Sequence, residues 1–356
     1  MRIDEPPWWY GEAPGAAGGG TLGVAVGCLS PLGALYGWAA RMRYARARHY
    51  RSRLPVVCVG NLTAGGTGKT PLTLHLCERL RARGLRPAVL TRGYGGRLAG
   101  PHWVAGEDDA DSVGDEPLLL VPAAPTLVAR DRAAGARAIE QTRQSDTVAA
   151  DVIVMDDGLQ NPQLAKDLTL AVVDGARGVG NGRVMPAGPL RAPLAFQLGL
   201  VDAIVVNERA PGTGDAVAAW LRGRFDGPIL RCATVVAGDA GWLRGQRAVA
   251  WAGIGAPQRF FGMLGSLGTE VVDTIAFGDH QRLNEADAQR LLALARRHGA
   301  ILVSTAKDLA RLKGATGVLA QLAVSTRVLP IRLQFAAPDA ERLDTLIAST
   351  LMGFNR

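Results

Sequence analysis

Eight consecutive residues carry the strongest chemistry in the chain: Thr63, Ala64, Gly65, Gly66, Thr67, Gly68, Lys69 and Thr70. They match the phosphate-binding loop pattern except at its first position, where Thr63 stands for glycine. The glycines let the backbone turn tightly and aim N–H groups at phosphate oxygens. Lys69 adds a positive charge for the β- and γ-phosphates of ATP. Thr70 offers a hydroxyl to Mg²⁺, and the start of the following helix favours the anion. Such a loop needs an aspartate at the end of another strand to hold the magnesium. The run Asp151-Val-Ile-Val-Met-Asp-Asp157 supplies Asp156 and Asp157, either of which can serve. Taken alone, two aspartates after an apolar strand describe a solvated turn, and it is the upstream loop that gives them a metal role.

The surrounding pattern predicts the elements that hold these residues. An apolar run over 55–60 reads as a buried strand leading into the loop, and 71–83 reads as a helix stopped by Gly84. Further strands are expected over 87–91, 126–129, 152–155, 168–173 and 203–206, with helical stretches between several of them. This alternation predicts an α/β protein with a mostly parallel sheet of the P-loop type, covered on both faces. A second, smaller α/β unit is expected to follow. Its strands are placed over 248–254, 271–277, 301–305 and 328–333. Its helices are placed over 257–267, from a cap at Asn284, and over 340–351. The expected division is 1–54 for an N-terminal segment, 55–236 for the P-loop core and 237–356 for the second unit.

Composition narrows the class. The chain has 356 residues, 48% apolar and 20% charged, which suits folded domains rather than disorder. Its net charge of +8 suits anionic partners, although the excess is mostly arginine and carries little weight. The cysteines Cys28, Cys58, Cys77 and Cys232 are scattered with no CxxC pair, which argues against a zinc site or a disulfide framework. From Leu22 to Ala40 no residue is charged, and Arg41, Arg43, Arg46, Arg48, Arg51 and Arg53 follow. That length is at the threshold for a membrane span, but its glycines and Pro31 count against one unbroken helix. Two readings stay open: a membrane-associating helix with its arginines on the cytoplasmic side, or a helix packed on the protein's own core. Residues 1–20, dense in glycine and proline, are expected to be loop or loosely packed.

The loop itself leaves the class of nucleotide enzyme open. Its glycines resemble the deviant loop of partition-type ATPases, and a membrane segment suits that class too. The signature lysine of those ATPases is replaced here by Ala64. No aromatic and basic platform for single-stranded nucleic acid is evident.

Several other motifs, taken together, resemble one family. Asp156-Asp-Gly-Leu-Gln160 is similar to the Asp-Asp-Gly-Phe-Gln-His box of tetraacyldisaccharide 4'-kinases, the lipid A 4'-kinases of Gram-negative bacteria. The loop beginning with Thr63 resembles that family's form. So do Asn61, Thr91-Arg-Gly-Tyr-Gly-Gly96, Val113-Gly-Asp-Glu-Pro117, Pro186-Ala-Gly-Pro-Leu-Arg191, Phe277-Gly-Asp-His280 and Ser304-Thr-Ala-Lys-Asp308. Pro31-Leu-Gly-Ala-Leu-Tyr-Gly37 is similar to the family's membrane-associating segment. The departures are Asn161 where histidine is usual, Ala192 where an acid is usual, Gln281 where a second histidine is common, and alanine in the Thr-Ala-Lys-Asp motif.

The resemblance implies transfer of the γ-phosphoryl group of ATP to the 4'-hydroxyl of a tetraacylated glucosamine disaccharide 1-phosphate. It implies Asp115 as the base, His280 from the second unit as its partner, and Arg191 facing the transferred charge or the lipid phosphate. Lys69 serves the phosphates. Thr70, Asp156, Asp157 and Glu116 are the implied metal residues, and Asn61, Arg92, Tyr94 and Gln160 the implied substrate residues. The expected partners are the lipid precursor and the cytoplasmic face of the bacterial inner membrane, with no nucleic acid and no obligate protein partner.

Overall fold

The structure is a computed structural model, and it describes residues 6–10, 21–142, 149–210 and 212–354. Its strands are β1 (Val56–Asn61), β2 (Pro87–Thr91), β3 (His102–Trp103), β4 (Thr126–Val128), β5 (Val152–Asp156), β6 (Leu168–Asp174), β7 (Ala203–Glu208), β8 (Ile229–Val236), β9 (Arg247–Ala252), β10 (Glu270–Ala276), β11 (Ile301–Ser304), β12 (Thr326–Val328) and β13 (Ile331–Phe335). Its α-helices are α1 (Thr21–Arg46), α2 (Lys69–Ala82), α3 (Ala110–Val113), α4 (Asp115–Leu120), α5 (Arg132–Thr142), α6 (Leu194–Leu198), α7 (Asp215–Arg222), α8 (Pro257–Ser266), α9 (Glu285–His298), α10 (Ala306–Ala310), α11 (Gly317–Ser325) and α12 (Ala337–Phe354).

One sheet has nine strands in the order β13-β8-β7-β6-β1-β5-β2-β4-β3, and the other has four in the order β10-β9-β11-β12. The large sheet is parallel except at its edges, where β3 and β13 run antiparallel. Strand β1 pairs with β5 on one side and β6 on the other, and every one of its residues is buried. That explains its unbroken apolar sequence: both faces are covered, and each buried valine contributes about 1.5–3 kcal/mol of transfer free energy. The strand order reverses at β1, so a crevice opens beyond the carboxyl ends of β1, β5 and β6. The phosphate loop lies there.

The second unit differs from its expected bounds. The strand expected over 328–333 is two strands, because Pro330 has no N–H to give a ladder. Beyond Pro330 the chain recrosses, and β13 pairs with β8 of the large sheet. Leu343 and Ile347 of α12 then join the core formed by Leu72, Leu76 and Leu80 of α2. Asp344 bridges Arg79 at 2.9 Å and Arg83 at 3.1 Å. The expected 237–356 unit is therefore corrected: its own sheet ends at Val328, and β13 and α12 belong to the P-loop unit. The two crossings touch where the Ala237 N–H donates to the Pro330 carbonyl at 2.9 Å.

The N-terminal part also departs from expectation. Helix α1 runs unbroken for 26 residues through Pro31. Gly33 and Gly37 lie four residues apart on one stripe and are the contact surface. A Cβ at Gly33 would come within 2.6 Å of the Val184 carbonyl oxygen, and one at Gly37 within 3.0 Å of the Pro193 ring. The glycines thus serve close packing rather than a helix break. Leu32, Leu35, Tyr36 and Trp38 face outward and are exposed. Among the described residues, no helix is long and apolar enough to cross a membrane. Residues 7–9 form a short helical turn with Trp9 buried, against the expectation of a loose segment. The expected loop over 11–20 lies outside the described residues.

Candidate active site

The phosphate loop is held from several sides. Helix α2 begins at Lys69, directly after Gly68, whose φ is 103°. A Cβ on Gly68 would lie 2.5 Å from the side-chain nitrogen of Asn207, so glycine is required twice over. Asn207, at the end of β7, donates to the Thr67 carbonyl at 3.1 Å. The Ala64 N–H donates to the Pro189 carbonyl at 2.8 Å, and the Tyr10 hydroxyl to the Ala64 carbonyl at 3.4 Å. From the second unit, Gly255 approaches so closely that a Cβ there would lie 2.9 Å from the Gly66 nitrogen.

Asn61 and Gln160 lie against the loop. Asn61 is fully buried, and its amide donates to the Gly65 carbonyl at 3.2 Å. Gln160 donates to the Asn61 carbonyl and to the Gln197 side chain, each at 2.7 Å. Both brace the loop from within, while Asn61 Oδ1 is left without a protein partner. Arg92 and Tyr94, by contrast, are exposed beyond β2, with the Tyr94 ring 5.3 Å from that of His280.

The two aspartates after β5 divide their work. Asp156 is fully buried, accepts from the Thr73 hydroxyl at 2.8 Å, and leaves its Oδ2 without a protein partner. Burial, followed by the charges of Glu116 and Asp157, pushes its carboxyl well above the ordinary range, against the Thr73 hydrogen bond and Lys69. Asp157 receives the Arg191 guanidinium at 3.0 and 3.1 Å and lies 3.8 Å from the Lys69 ammonium. Burial would raise its pKa, but Arg191 and Lys69 outweigh this and hold it well below the ordinary range. A divalent cation fits Asp156, because the orphan oxygen is a buried acceptor beside the loop. Mg²⁺ of this kind takes one or two carboxylates plus phosphates and waters rather than a full protein cage.

A second cluster comes from both units. Asp115, 4% exposed at the start of α4, accepts at Oδ2 from His280 Nδ1 at 3.0 Å and from Arg311 Nε at 2.8 Å. Its Oδ1 accepts the Glu116 N–H at 2.9 Å. Burial favours its neutral form, but the His280 hydrogen bond and the charges of Lys307 and Arg311 prevail and keep it ionised. Lys307, at the start of α10, lies 3.4 Å from Glu116, 3.4 Å from Asp279 and 3.2 Å from His280 Nε2. Among the described residues, the non-glycine positions with left-handed backbone are Asp157 (φ 49°) and His280 (φ 57°), one in each cluster.

Sequence reasoning assigned no role to four residues that shape the site. Lys307 stood inside a quoted motif, and Arg311 one turn later gave no signal. Arg132 is an arginine only 1% exposed, its charge felt by Asp156 and Asp157. Asn207 looked like the polar end of a strand. The departures Asn161, Ala192 and Gln281 each have a local partner or a packed place. Asn161 exchanges hydrogen bonds with Gln163, Ala192 is fully buried, and Gln281 accepts from the Gly278 N–H at 2.9 Å.

A model of the tetraacyldisaccharide-1-P 4'-kinase family matches residues 26–351. The chain belongs to this family. Tetraacyldisaccharide 4'-kinase of Methylobacterium sp. strain 4-46 is 46% identical over 351 residues, covering 98% of each chain. That of Dinoroseobacter shibae is 46% identical over 344 residues, covering 96% of this chain and 97% of the relative. The fold is similar to that of LpxK from Aquifex aeolicus, solved in complex with ATP. That structure superposes with a TM-score of 0.69 at 24% identity, over 92% of this chain and 99% of the other. Membership in this family displaces the partition-type ATPase reading.

Proposed function

We propose that this tetraacyldisaccharide 4'-kinase family member moves the γ-phosphoryl group of ATP to the 4'-hydroxyl of a tetraacylated glucosamine disaccharide 1-phosphate, the lipid A precursor. The observation that supports the reading is that Glu116, the neighbour of Asp115, lies 3.4 Å from Lys307 and is near enough for its charge to act on Asp156, so that the loop's aspartates and the Asp115–His280 pair adjoin. In the transfer, the bond between the sugar oxygen and the γ-phosphorus forms. The bond from that phosphorus to the β-bridging oxygen breaks, and ADP leaves. The hydroxyl proton passes to Asp115.

Phosphoryl transfer asks for positioning and charge neutralisation more than for a strong base. An ionised Asp115 of low basicity suits that demand, since it orients the hydroxyl and takes a proton that leaves late. Lys69 and Arg191 meet charge on the phosphates, with Asp157 fixing both cations. Asp156 and Thr70, with Glu116 beside them, would hold Mg²⁺, which neutralises phosphate charge when bound. Arg92 and Tyr94, exposed beyond β2, would meet the lipid headgroup.

The exposed apolar face of α1 and the arginines at its end support attachment to the cytoplasmic face of the inner membrane. The same helix packs on the loop that carries Arg191, so the lipid-facing surface and the phosphate site adjoin. Turnover of Mg²⁺-ATP should rise with the lipid acceptor and not with DNA. Lipid-independent hydrolysis without a phosphorylated lipid would sink the reading.

A further inference from the structure

The ring of His280 is held at both nitrogens. Nδ1 lies 3.0 Å from Asp115 Oδ2, and Nε2 lies 3.2 Å from the Lys307 ammonium. A neutral imidazole has one donor nitrogen and one acceptor, and its partners decide which is which. With the proton on Nε2, two donors would face each other at Lys307 and two acceptors at Asp115. An imidazolium would satisfy Asp115 but turn an N–H towards an ammonium. Only the neutral Nδ1–H form makes both contacts hydrogen bonds.

The surrounding charges agree. The Lys307 ammonium has donors only, and it also faces Glu116 and Asp279 at 3.4 Å each. The Asp279 carboxylate lies 3.8 Å from Nε2, too far to hold a proton there. Arg311 binds the same Asp115 oxygen and keeps it an acceptor. The Tyr94 ring lies edge-on to the imidazole.

We propose that Lys307 is a positioning residue that fixes His280 as the neutral Nδ1–H tautomer, aimed at Asp115. Lys307 and His280 both come from the second unit, whereas Asp115 comes from the P-loop unit. The pair is therefore set only when the units are closed on each other. The tautomer stands apart from the proposed reaction, and only its kinetic consequence rests on that reading.

The test labels histidine with ¹⁵N in the full-length protein and reads ring tautomers from long-range ¹H–¹⁵N correlations, without substrate. There are five histidines, and His280→Gln identifies the signal of interest. Wild type should show His280 as neutral Nδ1–H, and Lys307→Met, which removes the ammonium from Nε2 while Asp115 still faces Nδ1, should turn it to imidazolium. Lys307→Arg should retain Nδ1–H. In turnover, Lys307→Met should lower kcat by about tenfold with little change in the KM for ATP, as expected when a proton-handling group is misaligned. An Nε2–H or imidazolium signal in wild type would overturn the proposal. So would an unchanged Nδ1–H signal in Lys307→Met with the other four histidines undisturbed. Should Lys307→Met not fold, Lys307→Leu, which likewise neither donates nor accepts, gives the same two outcomes, and the wild-type spectrum alone still decides the tautomer.

Discussion

His280 Nδ1 lies 3.0 Å from Asp115 Oδ2, although the two residues are 165 positions apart and sit on different units. Residues that act as one group lose function together, not in sequence. Asp115→Ala and His280→Ala should each lower kcat by about 10²-fold or more, within the range of general acid–base groups. ATP affinity should change little, since neither touches the phosphate loop. The double variant should be scarcely worse than the more damaging single one. Multiplicative losses would show that the residues serve separate steps. Asp115→Asn is the cleaner probe, since it keeps the shape and removes the acceptor; an active Asn variant would leave positioning to carry the reaction.

Lys69→Ala removes the loop's charge and frees Asp157 to pair with Arg191 alone. We expect a loss of at least ~10²-fold in kcat, comparable to removing a preorganised donor from a transition state. Near-normal turnover would contradict the assignment of the loop.

Asp156 gives a stability prediction of opposite sign to its effect on activity. An acid whose folded pKa is raised binds its proton more tightly in the folded state. Charging it therefore destabilises the fold as pH rises from the ordinary carboxylate range, about 4, through the raised value. Asp157, with its lowered pKa, contributes stability that is fully present above that range and is lost only as pH falls below it. Metal-free Asp156→Asn should thus be more stable at neutral pH, with Tm raised by about 2–4 °C if roughly 1 kcal/mol is relieved. It should lose Mg²⁺-dependent turnover. A lower Tm by scanning calorimetry in chelator would show that Asp156 is stabilised by a partner already present.

The N-terminal helix should matter to the site as well as to attachment. Gly37→Leu drives a side chain into Pro193, two residues from Arg191, and should lower kcat by about tenfold through misplacement of that guanidinium. Removing residues 1–40 should impair ATP binding and thermal stability, because Trp9 donates to the Pro186 carbonyl at 3.1 Å and Tyr10 reaches the loop. Leu35→Ser with Trp38→Ser should instead weaken binding to anionic vesicles while ATP binding persists. A truncated chain with an unaltered nucleotide site would return α1 to a purely membrane role.

The legible parts of the fold were those whose signal is local. β1, β2 and β5 lie within a residue or two of their expected spans, because buried parallel strands are apolar on both faces. The cap at Asn284 is present with Asp287 as its reciprocal partner. The return of β13 to the large sheet was not legible, since a short apolar run does not say which sheet it joins. The bracing bonds of Asn61 and Gln160 to the loop and its neighbours are not legible in their motifs, because a motif does not record the direction of a side chain. Arg311 reaches Asp115 across 196 positions, a distance that no local spacing encodes.

The central claim is that one crevice, built from both units, phosphorylates a lipid-linked sugar. The most direct test incubates the pure protein with Mg²⁺ and labelled ATP and the tetraacylated disaccharide 1-phosphate, then identifies the product by mass and fragmentation. We predict an acceptor heavier by one phosphoryl group, carried on the 4'-oxygen, with ADP formed in equal amount and no product from Asp115→Asn. ADP formed without any phosphorylated lipid, or a phosphoryl group at another position, would contradict the account.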